Sequence, residues 1–123
     1  MKSLSVALLQ KDSRVARLLS AQLSHQFQSI QVVGSSSELR DLIPAFRPDV
    51  IIVDIEAASL GEIEQFHRDF ASICIVCTHR IADEEMWTAA MDAGAADVCS
   101  ATDARAILNA AIRNGALARS AAA

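Results

Sequence analysis

Tyrosine is missing from this 123-residue chain, and aromatic residues of every kind make up only 4% of it. With 52% apolar residues, the core must be assembled from Ala, Val, Ile and Leu, the composition of helices packed on a sheet. The length suits one domain with a single well-buried core. No apolar run approaches the roughly eighteen residues needed to span a bilayer, so no membrane partner is expected. No signal-peptide pattern opens the chain, since Met1-Lys2-Ser3-Leu4 leads straight into a strand. Basic clusters are missing too. Eleven Lys and Arg are scattered among fifteen Asp and Glu, for a net charge of −4 and a pI near 5.2. That excludes the basic stripe of a nucleic-acid surface, and with it DNA or RNA as a partner of this domain itself. Cysteine is limited to Cys74, Cys77 and Cys99. An odd count in apolar, strand-like runs indicates reduced structural thiols and a cytoplasmic home. The Cys74-x-x-Cys77 spacing of a redox or zinc motif is discounted, because strand residues three apart point to opposite faces.

What is present is an alternation. Strands are expected at Leu4–Leu9, Ile30–Val33, Val50–Asp54, Ile73–Cys77 and Ala96–Cys99. Helices are expected at Arg14–Gln26, where Val15, Leu19 and Leu23 recur every four residues, at Glu38–Phe46, and over a short stretch near Gly61–Phe70. A fourth spans Asp83–Ala93 and ends at Gly94, a good residue just past a helix terminus. A fifth starts near Asp103, carries Ile107, Leu108, Ala111 and Ile112 on one face, and is expected to run past Gly115. Ser35-x-x-Glu38 fits a capping box, which explains the Gly34-Ser35-Ser36-Ser37 run better than anion binding does. His25 and His67 fall in amphipathic helices with no partner at metal spacing, so surface positions are expected. The alternation predicts an α/β fold: a parallel sheet with right-handed crossovers and helices on both faces. A single domain covers 1–123, with a core of about 4–114 and residues 115–123 as a helix end or the start of a connector.

The segment Pro48-Asp49-Val50-Ile51-Ile52-Val53-Asp54-Ile55 is the most informative. Four β-branched apolar residues in a row read as a strand buried on both faces. Such a strand ends here in Asp54, and in an open α/β sheet chemistry sits beyond the carboxyl ends of the strands, where strand order reverses. Asp54 is therefore a candidate reactive group; a helix cap or a solvated loop residue are the plainer readings of the same acid.

With five βα units and an acid closing the third strand, the chain resembles a response-regulator receiver domain over essentially all of Leu4–Asn114. The matching pieces are Arg47–Ile55, Ile75-Val76-Cys77-Thr78 and Ala90-Met91-Asp92-Ala93-Gly94-Ala95. The resemblance implies a flavodoxin-like five-stranded sheet of order 2-1-3-4-5. It also implies a phosphoacceptor position at Asp54 and a hydroxyl switch position at Thr78. Other family positions are altered. The adjacent acids that hold Mg²⁺ after the first strand are replaced by Gln10 and Lys11, with Asp12 one step late. The family Lys falls at Ala101 with no Pro after it, the aromatic switch at Val98, the Met-Pro pair at Ala57-Ala58, and the gate position at His79.

Mg²⁺ wants near-octahedral oxygen ligation, and phosphoryl transfer to an aspartate depends on that ion and on cationic clamps. Lys11 is expected to fill the cation's place: an ammonium about 4 Å from Asp54 would be worth about 4 kcal/mol at an effective dielectric of 20. The resulting expectation is an atypical, pseudo-receiver-type signalling module, not an enzyme, with no cofactor. It would act through a protein partner, an output domain or a second copy of itself. The family commonly dimerises through the fourth helix, fifth strand and fifth helix, which here carry Trp87, Met91, Asp97, Arg105 and Arg113. One rival is a phospho-accepting receiver in which Asp12 adapts the Mg²⁺ site. A second, from another class, is a flavodoxin-like nucleotide or cofactor binder; the first turn, Gln10-Lys11-Asp12-Ser13-Arg14, offers it no glycine.

Overall fold

The computed structural model describes residues 4–81 and 83–122. Strands and helices alternate as β1 (Ser5–Leu9), α1 (Ser13–Leu23), β2 (Ser29–Val33), α2 (Ser36–Phe46) and β3 (Val50–Asp54), followed by α3 (Leu60–Asp69), β4 (Cys74–His79), α4 (Glu84–Asp92), β5 (Asp97–Ser100) and α5 (Ala104–Ala122). The strands form one parallel sheet in the order β2-β1-β3-β4-β5. All five β3 residues are buried, as a strand covered on both faces requires.

Side chains alternate along each strand, so the sheet has two cores. Ala7, Leu9, Ile51, Val53, Ile75 and Cys77 face a cluster closed by Leu39 and Ile43 of α2, Ile63 and Phe66 of α3, and Ala90 of α4. Val6, Leu8, Val50, Ile52, Cys74 and Val76 face the other, closed by Leu19 and Leu23 of α1 and Ile107, Ala110 and Ala111 of α5. Phe66 and Phe70 stack at 6.3 Å between centroids, and Arg40 of α2 lies 4.8 Å over the Phe66 ring while pairing with Asp69 at 2.8 Å. That contact ties α2 to α3.

Several local expectations shift. β4 starts one residue later than Ile73 and runs on to His79, which brings Thr78 and His79 into the strand. α1 ends at Leu23, short of Gln26. At α2 only half of a capping box forms: the Ser35 hydroxyl accepts the Glu38 N–H at 3.1 Å. The complete box opens α3 instead, between Ser59 and Glu62. Hydrogen bonds from the Ser36 hydroxyl and then the Ser59 N–H hold the Glu62 carboxyl below the usual range. Gly94 has φ 114°, and a Cβ there would stand 2.5 Å from the His67 ring, so both its conformation and its neighbour demand glycine. His25 and His67 are both exposed. Trp87 is 45% exposed and Met91 half-buried.

Cys74 and Cys77 do face opposite cores, and all three thiols are buried and unbridged. Burial, reinforced by the nearby Asp54 carboxylate, pushes the Cys77 thiol up to about 12, and burial raises Cys74 and Cys99 to about 11. A raised folded-state value means that the neutral thiols support the fold below about pH 8.5, where a free cysteine titrates. That support is lost as the pH climbs from there toward 12. The melting temperature is therefore expected to fall steadily above pH 8.5. At pH 8 the native protein should leave all three thiols unreacted with Ellman's reagent, and guanidinium should release them.

Candidate functional site

Strand order reverses between β1 and β3, and the cleft that opens there has a volume of about 420 Å³. Its floor is set by register. Leu9 pairs with Val53, so Gln10 stands one step beyond, level with Asp54, and Asp54 pairs with Thr78. The Gln10 N–H still reaches the Val33 carbonyl at 3.5 Å, which carries the extended path of β1 one residue past its end. Three polar side chains on neighbouring strands thus lie in one row, on the face shared with α1 and α5.

All three are buried: Gln10 at 6%, Asp54 at 3% and Thr78 at 0% exposure. Gln10 Nε2 donates to Asp54 Oδ2 at 3.0 Å, and Thr78 Oγ1 donates to the same oxygen at 3.1 Å. The Glu56 N–H donates to Oδ1 at 2.9 Å. Gln10 is itself oriented by the Asp12 N–H, which donates to its Oε1 at 3.1 Å. A buried carboxylate with no charged partner must be hydrogen-bonded to be tolerated, and here three donors do that.

The expectation that the Lys11 ammonium would sit on Asp54 is overturned. Among the described residues no ion pair within 4.0 Å joins them, Lys11 is exposed at the cleft mouth, and the Gln10 amide occupies the place against the carboxylate. The chain leaves the strand path after Gln10, so the next side chain turns outward. Asp12 is committed elsewhere: its Oδ1 accepts the Arg14 and Val15 N–H groups at 2.9 and 3.3 Å and caps α1. Glu56, at the opposite rim, binds Arg80 Nε at 2.6 Å. Ala101 is buried and lines the cleft with an apolar wall beside Val15. His79 does not line it. Its Nδ1 lies 2.8 Å from the Ile81 carbonyl oxygen and its Nε2 3.9 Å from Glu56.

These donors do not suit Mg²⁺. Gln10 turns a hydrogen-bond donor toward Asp54, and the described residues contain no group of three His, Cys, Asp or Glu side chains able to hold a metal ion. The glutamine was visible in the sequence as the residue after Leu9, yet its role was missed. The available signal was the matching ends Leu8-Leu9-Gln10, Ile52-Val53-Asp54 and Val76-Cys77-Thr78, which place the three in register only once the strands are aligned. The residues expected at an interface lie apart from this cleft. Trp87 and Met91 are on α4, and Asp97 of β5 holds Arg113 of α5 at 3.4 Å. Arg105 is exposed as the second residue of α5.

No protein-family model matches the chain, and no curated protein sequence does. Solved structures do match. The receiver domain of Francisella response regulator 1452 superimposes with a TM-score of 0.80, at 14% identity over 97% of this chain and 99% of that one. The N-terminal signal receiver domain of a two-component response regulator from Bacteroides fragilis gives 0.83, at 18% identity over 92% and 98%. NtrX from Brucella abortus gives 0.83 at 15% identity, over 99% of this chain and 29% of that one. The chain has the five-stranded, doubly wound fold of response-regulator receiver domains.

Proposed function

We propose that this domain is a two-component-type signalling module, a pseudo-receiver that works by protein contact rather than by Mg²⁺-dependent phosphorylation. One observation carries the reading: the Gln10 amide donates to Asp54 at 3.0 Å, where a receiver would bring a metal ion. The Thr78 hydroxyl already points at the same oxygen, so the row is satisfied without a phosphoryl group. Ala101 offers no cation to an incoming phosphate, Lys11 is exposed at the cleft mouth, and the Arg80 guanidinium is held by Glu56. The module is thus read as a non-enzymatic one.

A nucleotide or cofactor binder on the same fold is disfavoured by the cap on α1. The Asp12 carboxylate takes the N–H groups that would otherwise meet a phosphate. The partner is a protein or an output domain. The likeness to 29% of NtrX shows this fold as one part of a longer protein, which supports a neighbouring domain as one form of that partner. The face of α4, β5 and α5, which carries the exposed Trp87 on α4 and the Asp97–Arg113 pair between β5 and α5, is the surface assigned to the contact, including contact with a second copy. The absence of a membrane-spanning helix among the described residues is compatible with the cytoplasmic home that the thiols suggest.

Two measurements test the reading. Wild type treated with acetyl phosphate and Mg²⁺ should show no aspartyl phosphate by intact mass. Stoichiometric modification of Asp54 would establish the rival receiver with an adapted metal site. Gln10→Leu keeps the volume but removes a donor from a buried carboxylate, and should cost about 1–3 kcal/mol of stability. Gln10→Glu sets two carboxylates against each other. Its melting temperature should drop at neutral pH and recover when Mg²⁺ binds between the introduced carboxylate and Asp54, while wild type ignores Mg²⁺. A wild-type melting temperature that rises with Mg²⁺ would sink the proposal.

A further inference from the structure

Adjoining the Asp54 cleft, with which it shares Gln10 and Lys11, a groove of about 510 Å³ runs between α1 and β2. One side is a helix face of small residues, Ser13, Ala16, Ser20 and Ala21, and the other is Val32 of β2, 43% exposed on a strand at the sheet edge. Lys11 and Arg17 stand on its rim, and neither makes an ion pair among the described residues. Apolar volume with unpaired cations around it describes a site for an acidic helix that carries one bulky apolar side chain.

The same chain displays such a helix. On α4, Trp87 is 45% exposed and stands among Asp83, Glu84 and Glu85, all exposed and none in an ion pair among the described residues. α4 packs on the sheet face opposite α1, so it cannot reach the groove of its own chain. Lengths agree: the 11 residues of α1 span roughly 16 Å and the 9 residues of α4 roughly 14 Å at about 1.5 Å per residue.

We propose that α4 of one copy docks into the α1–β2 groove of a second copy, with Trp87 seated over the small residues of α1 and Glu84 and Glu85 facing Lys11 and Arg17. The contact joins two different patches, so it differs from a symmetric pairing of α4–β5–α5 faces. It goes beyond the reading of the Asp54 site and does not depend on it.

Sedimentation across a concentration series tests this with two variants. Arg17→Glu with Ala21→Gln reverses the charge and fills the groove at two exposed helix positions, leaving α4 intact. Trp87→Ala with Glu84→Lys and Glu85→Lys removes the docking helix face and leaves the groove intact. Thermal melts confirm that each folds. Wild type should self-associate, less so at high salt. Each variant alone should associate at least about tenfold more weakly. An equimolar mixture of the two should form heterodimers, because one supplies the helix and the other the groove. A wild type that stays monomeric, or a mixture that does, overturns the proposal. A groove variant that associates like wild type while the α4 variant does not also overturns it. That last pattern points to symmetric α4 pairing and leaves the reading of the Asp54 site untouched.

Discussion

A carboxylate buried at the end of a central strand has to be held by something, and in this chain an amide holds it. Asp54 is 3% exposed, and an isolated ion at such a depth is too costly to survive uncompensated. The Gln10, Thr78 and Glu56 donors all reach it within 3.1 Å. Two of the three come from strands on either side of β3, so the register of β1, β3 and β4 and the satisfaction of one charge are the same requirement. A slip of one residue in either neighbour would turn the donor to the other face of the sheet.

The rest of the architecture protects that register. Two aliphatic cores clamp the sheet from both sides, and the few exceptional residues mark where elements come closest. Gly94 lets the end of α4 pass under His67, and a Cβ on Gly115 would stand 2.6 Å from Val50 of β3. Arg40, stacked over Phe66 and paired with Asp69, fastens the helices on one face. None of these contacts touches the cleft, yet each limits how the strands beneath it can shift.

Much of this was legible in the sequence, for a definite reason. Buried parallel strands write themselves as uninterrupted β-branched runs, so Val50–Asp54 and its terminal acid could be read directly, and regular alternation gave the sheet order through the family resemblance. The partner of Asp54 was not legible. Gln10 and Lys11 are adjacent, and charge alone favours the lysine. The decision rests on whether the extended path lasts one residue beyond Leu9, which is set by a backbone bond from Gln10 to Val33 on β2 and by the Asp12 cap that starts α1. Ser35 likewise caps α2 but only Ser59 completes the reciprocal box, because the second half of such a box depends on side-chain reach as well as on spacing.

On the proposed reading, an amide stands where a receiver would bring a metal ion, and that changes what kind of device the site can be. A metal-centred site depends on its ion and on the group it helps to bind, so its state follows the concentrations and affinities of ligands. An amide is covalently part of the chain and present in every copy. With Gln10 in place the row needs no ligand to be satisfied, and no ligand with a different affinity for two states is required to explain its arrangement. Under the reading proposed here, regulation then shifts from occupancy of the cleft to occupancy of the surface. The groups left with unmet potential support that shift. They are the acids and the tryptophan of α4, and the cations Lys11 and Arg17 beside the α1 groove, all exposed and none of the charged ones in an ion pair among the described residues.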